Sequence, residues 1–76
     1  MPIAFVLINV EANSEDEVIQ ELKAIDNVKS VYFVYGVYDI VAKIEARTEQ
    51  ELKQTITWKV RRLERIRSTQ TLMVSS

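Results

Sequence analysis

A hydroxyl residue followed three positions later by glutamate occurs twice in this chain, as Ser14 with Glu17 and as Thr48 with Glu51. Each pair stands after an apolar, branched run and before apolar residues at helical spacing. In such a capping box the hydroxyl accepts one orphan amide of the first helical turn and the glutamate accepts another. The two boxes therefore predict two helix starts, each led into by a strand. Glu15, Asp16 and Glu17 reinforce the first by placing negative charge at the positive helix end.

The remaining elements follow from periodicity. Residues 3–11 read as a strand that is apolar on both faces, with Ile3, Phe5 and Leu7 on one and Ala4, Val6, Ile8 and Val10 on the other. A strand covered on two sides is central in its sheet. Val18, Ile19, Leu22 and Ile25 form the buried stripe of a helix over 15–25. Residues 28–35 and 37–46 are two further strands around Gly36, the only glycine, which marks a tight turn. In the third strand Ile40, Ala42 and Ile44 are expected toward the helices, with Val37, Asp39, Val41 and Lys43 facing away. The second helix runs to about residue 63 on a stripe of Leu52, Ile56, Val60 and Leu63. Residues 65–74 form the last strand, with Ile66, Ser68, Gln70, Leu72 and Val74 alternating against Arg67, Thr69, Thr71 and Met73. Ser75 and Ser76 are expected to fray. The order β-α-β-β-α-β in one domain of 76 residues predicts an α+β, ferredoxin-like sandwich: a four-stranded antiparallel sheet with both helices on one face.

Two helices cover only one side of that sheet, yet Tyr32 and Val34 lie opposite Val31, Phe33 and Tyr35, so both sides are apolar. A chain this short gains little from its own core, and with no cysteine and no histidine it has neither disulfides nor a zinc site to compensate. A face-to-face homodimer, with Asp39 and Lys43 near its edge, resolves both problems. Burying roughly 500 Å² of apolar area per partner would give about 12 kcal/mol before association costs.

Catalysis and several ligand classes are disfavoured on the same grounds. Without histidine or cysteine the usual general base and the best nucleophile are missing. Most carboxylates sit on helix surfaces, caps or strand ends. Asp39, beside Tyr38 after the glycine turn, is the exception and suits a ligand's ammonium or a turn cap. No phosphate loop, dinucleotide fingerprint or metal motif occurs, and no cofactor is expected. Residues 1–46 carry eight acids and three lysines, a net of −5, and residues 47–76 carry seven basic groups and three acids, a net of +4. The basic cluster lies at a helix C-terminus, where cations meet the dipole favourably. RNA binding on the open sheet would need cations among Phe5, Tyr32, Phe33 and Tyr35, and their strands offer only Lys29. No apolar run approaches a membrane span and no basic leader precedes residues 3–8, so a cytoplasmic protein is expected.

The stretch VYFVYGVYDIVAKI, residues 31–44, resembles the G-x-Y-D-hydrophobic segment of the effector-binding (RAM) domain of Lrp/AsnC transcription regulators. The closing IRSTQTLMV, residues 66–74, is similar to that family's V-x-x-T-x-T-hydrophobic strand, and the opening AFVLINV and the intervening lengths match as well. The resemblance covers residues 3–74. One departure is Arg65-Ile66 where the family often has a glycine, so the second helix is expected to enter the strand through a different turn. The resemblance implies a single effector domain over 1–76 without a helix-turn-helix domain, dimers that assemble into tetramers, octamers or decamers, and mixing with full-length Lrp/AsnC regulators. It also implies an amino acid bound between dimers by Gly36, Val37, Tyr38 and Asp39 of the turn and by Ser68, Thr69, Gln70 and Thr71 of the last strand. A purely structural oligomer without ligand is the alternative.

Overall fold

A computed structural model describes residues 1–74; the fraying expected of Ser75 and Ser76 lies outside them. The elements are β1 (Ile3–Val10), α1 (Glu15–Lys23), β2 (Val28–Phe33), β3 (Ile40–Glu45), α2 (Glu49–Thr55), which continues as a π turn (Ile56–Val60), and β4 (Ile66–Met73). The sheet order is β2-β3-β1-β4, with every neighbouring pair antiparallel. This is the ferredoxin-like sandwich expected, with β1 and β3 central.

The core lies between the sheet and the helices. Ala4, Val6, Ile8 and Val10 of β1 and Ile40, Ala42 and Ile44 of β3 are buried on one face, and Val18, Leu22, Leu52, Ile56 and Val60 pack onto them. In α2 the stripe Leu52, Ile56, Val60 repeats every four residues, longer than the 3.6 of an α-turn. The wide turn, closed by the Arg61 N–H donating to the Ile56 carbonyl at 2.9 Å, lets all three stay on the core side.

The two helix starts differ. Thr48 is extended (φ −132°, ψ 160°) and its hydroxyl accepts the Glu51 N–H at 3.0 Å, the hydroxyl half of the capping box, while Glu51 Oε2 accepts from Asn27 Nδ2. Ser14 makes no side-chain cap bond, contrary to the sequence expectation. It follows Asn13 at φ +65° in a turn where the Ser14 N–H donates to the Glu11 carbonyl, and its own backbone (φ −108°, ψ 3°) is not the extended form of a capping residue. Thr48→Ala should therefore cost about 1 kcal/mol in urea unfolding, and Ser14→Ala less than about 0.5 kcal/mol. Equal losses would contradict this difference.

β2 ends earlier and β3 begins later than periodicity suggests. β2 stops at Phe33 and β3 begins at Ile40, so residues 34–39 form a loop closed by the Val34 N–H on the Asp39 carbonyl at 2.8 Å. Gly36 sits at φ +141°, and an added Cβ there would meet nothing within 4 Å; the backbone angle rather than crowding calls for glycine. β4 also departs from strict alternation. Its register against β1 shifts between Asn9 and Val10, pairing Val10 with Ile66 but Asn9 with Ser68. Arg67 is the extra residue, and Ile66 turns to the core while Ser68 faces the open side. Among the described residues no helix is long and apolar enough to cross a membrane.

Candidate functional site

The fold brings the 34–39 loop against β4 within one chain. The Tyr38 hydroxyl donates to Gln70 Oε1 at 3.0 Å, tying the loop to the edge strand. Asp39 is anchored to β1 twice: its N–H donates to the Ile8 carbonyl at 3.0 Å, and its Oδ2 accepts the Val10 N–H at 3.1 Å. One carboxylate oxygen thus satisfies an amide of β1 just beyond the last residue that β3 pairs, Ile8, and Oδ1 makes no hydrogen bond among the described residues.

Beside it lies a cleft of about 440 Å³ lined by Asn9, Val10, Asp39, Arg67 and Ser68. The Asn9 amide donates to Ser68 Oγ at 3.3 Å across β1 and β4. Arg65–Glu17, at 3.6 Å, is the one salt bridge among the described residues, so Asp39 and Arg67 face the cleft without pairing to each other. The result is a small concavity offering a carboxylate, a guanidinium and two neutral polar groups.

The eight expected residues do not all converge there. Tyr38, Asp39, Ser68 and Gln70 gather at the end of the open face. Thr69 and Thr71, paired with Ile8 and Val6, lie on the helix side of β4, where the Thr71 hydroxyl is buried without a partner. Gly36 and Val37 stand at the loop tip, with Val37 84% exposed. Tyr35, 98% exposed, leans on Phe33 with ring centroids 6.0 Å apart. Asn9 and Arg67 were missed. Asn9 had a signal, being the only polar residue of β1; Arg67 was absorbed into the basic run at the helix end.

A larger concavity lies elsewhere. A cleft of about 770 Å³ opens at the opposite end of the sheet, where β1 begins and β3 ends, and contains none of the expected residues. Asn27 holds its floor, donating to Glu51 Oε2 at 3.1 Å and Thr55 Oγ1 at 2.8 Å.

Comparison with known proteins places this geometry among relatives. Residues 3–76 match the model of the Lrp/AsnC ligand binding domain. An uncharacterised HTH-type transcriptional regulator from Pyrococcus abyssi is 32% identical over 97% of this chain and 47% of its own length. The chain spans about half the length of the curated relatives it matches. Among solved structures, FFRP-DM1 is 40% identical, with a TM-score of 0.94 over 99% of this chain and 100% of that one. A hypothetical protein from Pyrococcus horikoshii is 39% identical, with a TM-score of 0.93 over 100% of this chain and 92% of that one.

Proposed function

The chain belongs to the Lrp/AsnC ligand binding domain family, and on that premise we propose that it binds a free amino acid at the Asp39 end of the sheet and couples binding to assembly of its copies. It is a regulatory ligand-binding module rather than an enzyme. The observation that carries the proposal is the seam between loop and edge strand, where Tyr38 bonds to Gln70 and Asp39 and Arg67 flank one cleft unpaired. An amino acid presents an ammonium for Asp39 Oδ1 and a carboxylate for Arg67, with Asn9 and Ser68 as neutral partners. Gly36 and Val37 at the exposed tip would reach the ligand from a neighbouring copy, whereas Thr69 and Thr71, on the helix side of β4 with the Thr71 hydroxyl buried, would not.

Assembly is supported by the open sheet face, where Ile3, Phe5, Leu7 and Val41 are half-buried and Tyr32 and Leu72 are exposed. A ligand touching two copies favours the assembled state by its differential affinity for it. The ligand class is supported by a transcriptional regulator from Neisseria meningitidis in complex with L-Met, which shares the fold at 10% identity (TM-score 0.87, 99% of this chain and 50% of that one). FFRP-DM1 and the P. horikoshii protein match over nearly their whole length, so chains of about this domain's size exist among its relatives; mixing of copies with full-length regulators is part of the proposal.

The purely structural oligomer is favoured by the duties Asp39 and Gly36 already have within the chain, and it expects no bound ligand. Native mass spectrometry with the twenty amino acids separates the two readings: the proposal expects a discrete ligand mass on a multiple of the chain. Asp39→Asn keeps an oxygen for the Val10 amide and removes the charge. It should weaken the ligand at least about tenfold, roughly 1.4 kcal/mol, with an unchanged circular dichroism spectrum. Unchanged affinity removes Asp39 from the site, and no mass gain from any amino acid overturns the effector reading.

A further inference from the structure

We propose that the larger cleft, at the opposite end of the sheet from Asp39, binds a nucleoside monophosphate. Its volume of about 770 Å³ falls within the few hundred to a thousand Å³ usual for small-molecule sites, and it shares no residue with the Asp39 cleft.

Its wall is Trp58, the only tryptophan, which is 58% exposed although it stands on an element packed against the core. The π turn turns Ile56 and Val60 inward and leaves Trp58 at the cleft rim. The Arg62 guanidinium lies 4.6 Å from the indole centroid and holds the ring in place from one side. A large aromatic surface that is held but uncovered is a stacking platform. Every nucleobase has a π-face to set on it.

The charges around the cleft fit the rest of a nucleotide. Lys29, Arg47 and Lys59 line it together with Asp26, Glu45 and Glu51. None is within salt-bridge distance of another, since Arg65–Glu17 is the one such pair among the described residues. A simple anion would meet the carboxylates, a simple cation would meet the basic groups, and an apolar ligand would need neither. A nucleotide uses both signs: its phosphate takes the cations, and its ribose hydroxyls donate to carboxylates. The floor is set in advance, because Asn27 is fixed through its side chain by Glu51 and Thr55 and through its carbonyl, which accepts the Glu45 N–H at 2.9 Å.

The test is calorimetry and Trp58 fluorescence on the full chain with AMP, GMP, CMP and UMP, alongside adenosine, ribose 5-phosphate and inorganic phosphate. At least one of the four nucleotides should bind and change Trp58 emission, with inorganic phosphate weaker by at least about tenfold, the worth of a stacked base. Arg47→Ala should weaken the nucleotide about tenfold, as expected for a charge-assisted bond. Trp58→Leu, followed by calorimetry, should weaken the nucleotide but not inorganic phosphate. No heat from any of the four at millimolar concentration overturns the proposal. So does inorganic phosphate binding as tightly as the nucleotides, or nucleotide affinity unaffected by Arg47→Ala.

Discussion

Replacing Leu7 with aspartate should leave a folded domain that sediments as a single chain, where the parent is expected to sediment as a multiple of the chain. Leu7 sits at the middle of β1 on the face away from the helices, between Val41 of β3 and Gln70 of β4. It is half-buried in the isolated chain, so the charge stays near water in a monomer but would be trapped in a sheet-to-sheet contact. Central apolar positions of an interface typically carry about 2–4 kcal/mol, a loss of roughly thirty- to a thousandfold in association. Sedimentation at ten micromolar should show a multiple of the chain for the parent and a single chain for Leu7→Asp, with matching far-ultraviolet spectra. A parent that is already monomeric, or a variant that keeps the parent's mass, would show that the open face is not the assembly surface.

The neighbouring residue should behave in the opposite way. Ile8 points to the helices, is fully buried, and pairs with Ile40 and Thr69. Ile8→Ala removes three carbons from the centre of the core and should cost about 3 kcal/mol, the transfer energy plus the cavity left behind. For a domain of this size that lowers Tm by roughly 12–24 °C, at about 4–8 °C per kcal/mol. Both proteins must be melted at one concentration, since association contributes to apparent stability. A loss under about 1 kcal/mol would mean that the core closes around the gap. Two adjacent residues of one strand thus separate assembly from folding, because successive side chains of a strand point to opposite faces.

Much of the candidate site was visible before the fold. Gly36, Tyr38 and Asp39 stood out as the one glycine and the polar pair beside it. What stayed hidden was the company they keep. Asp39 uses one oxygen on the Val10 amide, a bond between residues 29 positions apart that forms where the pairing of β1 with β3 ends at Ile8 and Ile40. The β1–β4 register shift carries Ile66 into the core and places Arg67 at the cleft, while ordinary alternation along β4 sets Thr69 and Thr71 on the side away from Ser68 and Gln70. Ser14 shows a similar limit at shorter range. Its sequence signature equals that of Thr48, but Asn13 at positive φ sets a different entry into the helix.

From the sequence alone came the strands, the helices, their order and the apolar second face, because periods of two and of about 3.6 and the helix-start signals act between residues close along the chain. The tertiary structure decided the π turn, the strand-register shift and the contents of both clefts. Each depends on pairings between distant strands and helices, and a shift of one residue in such a pairing changes which side chains meet.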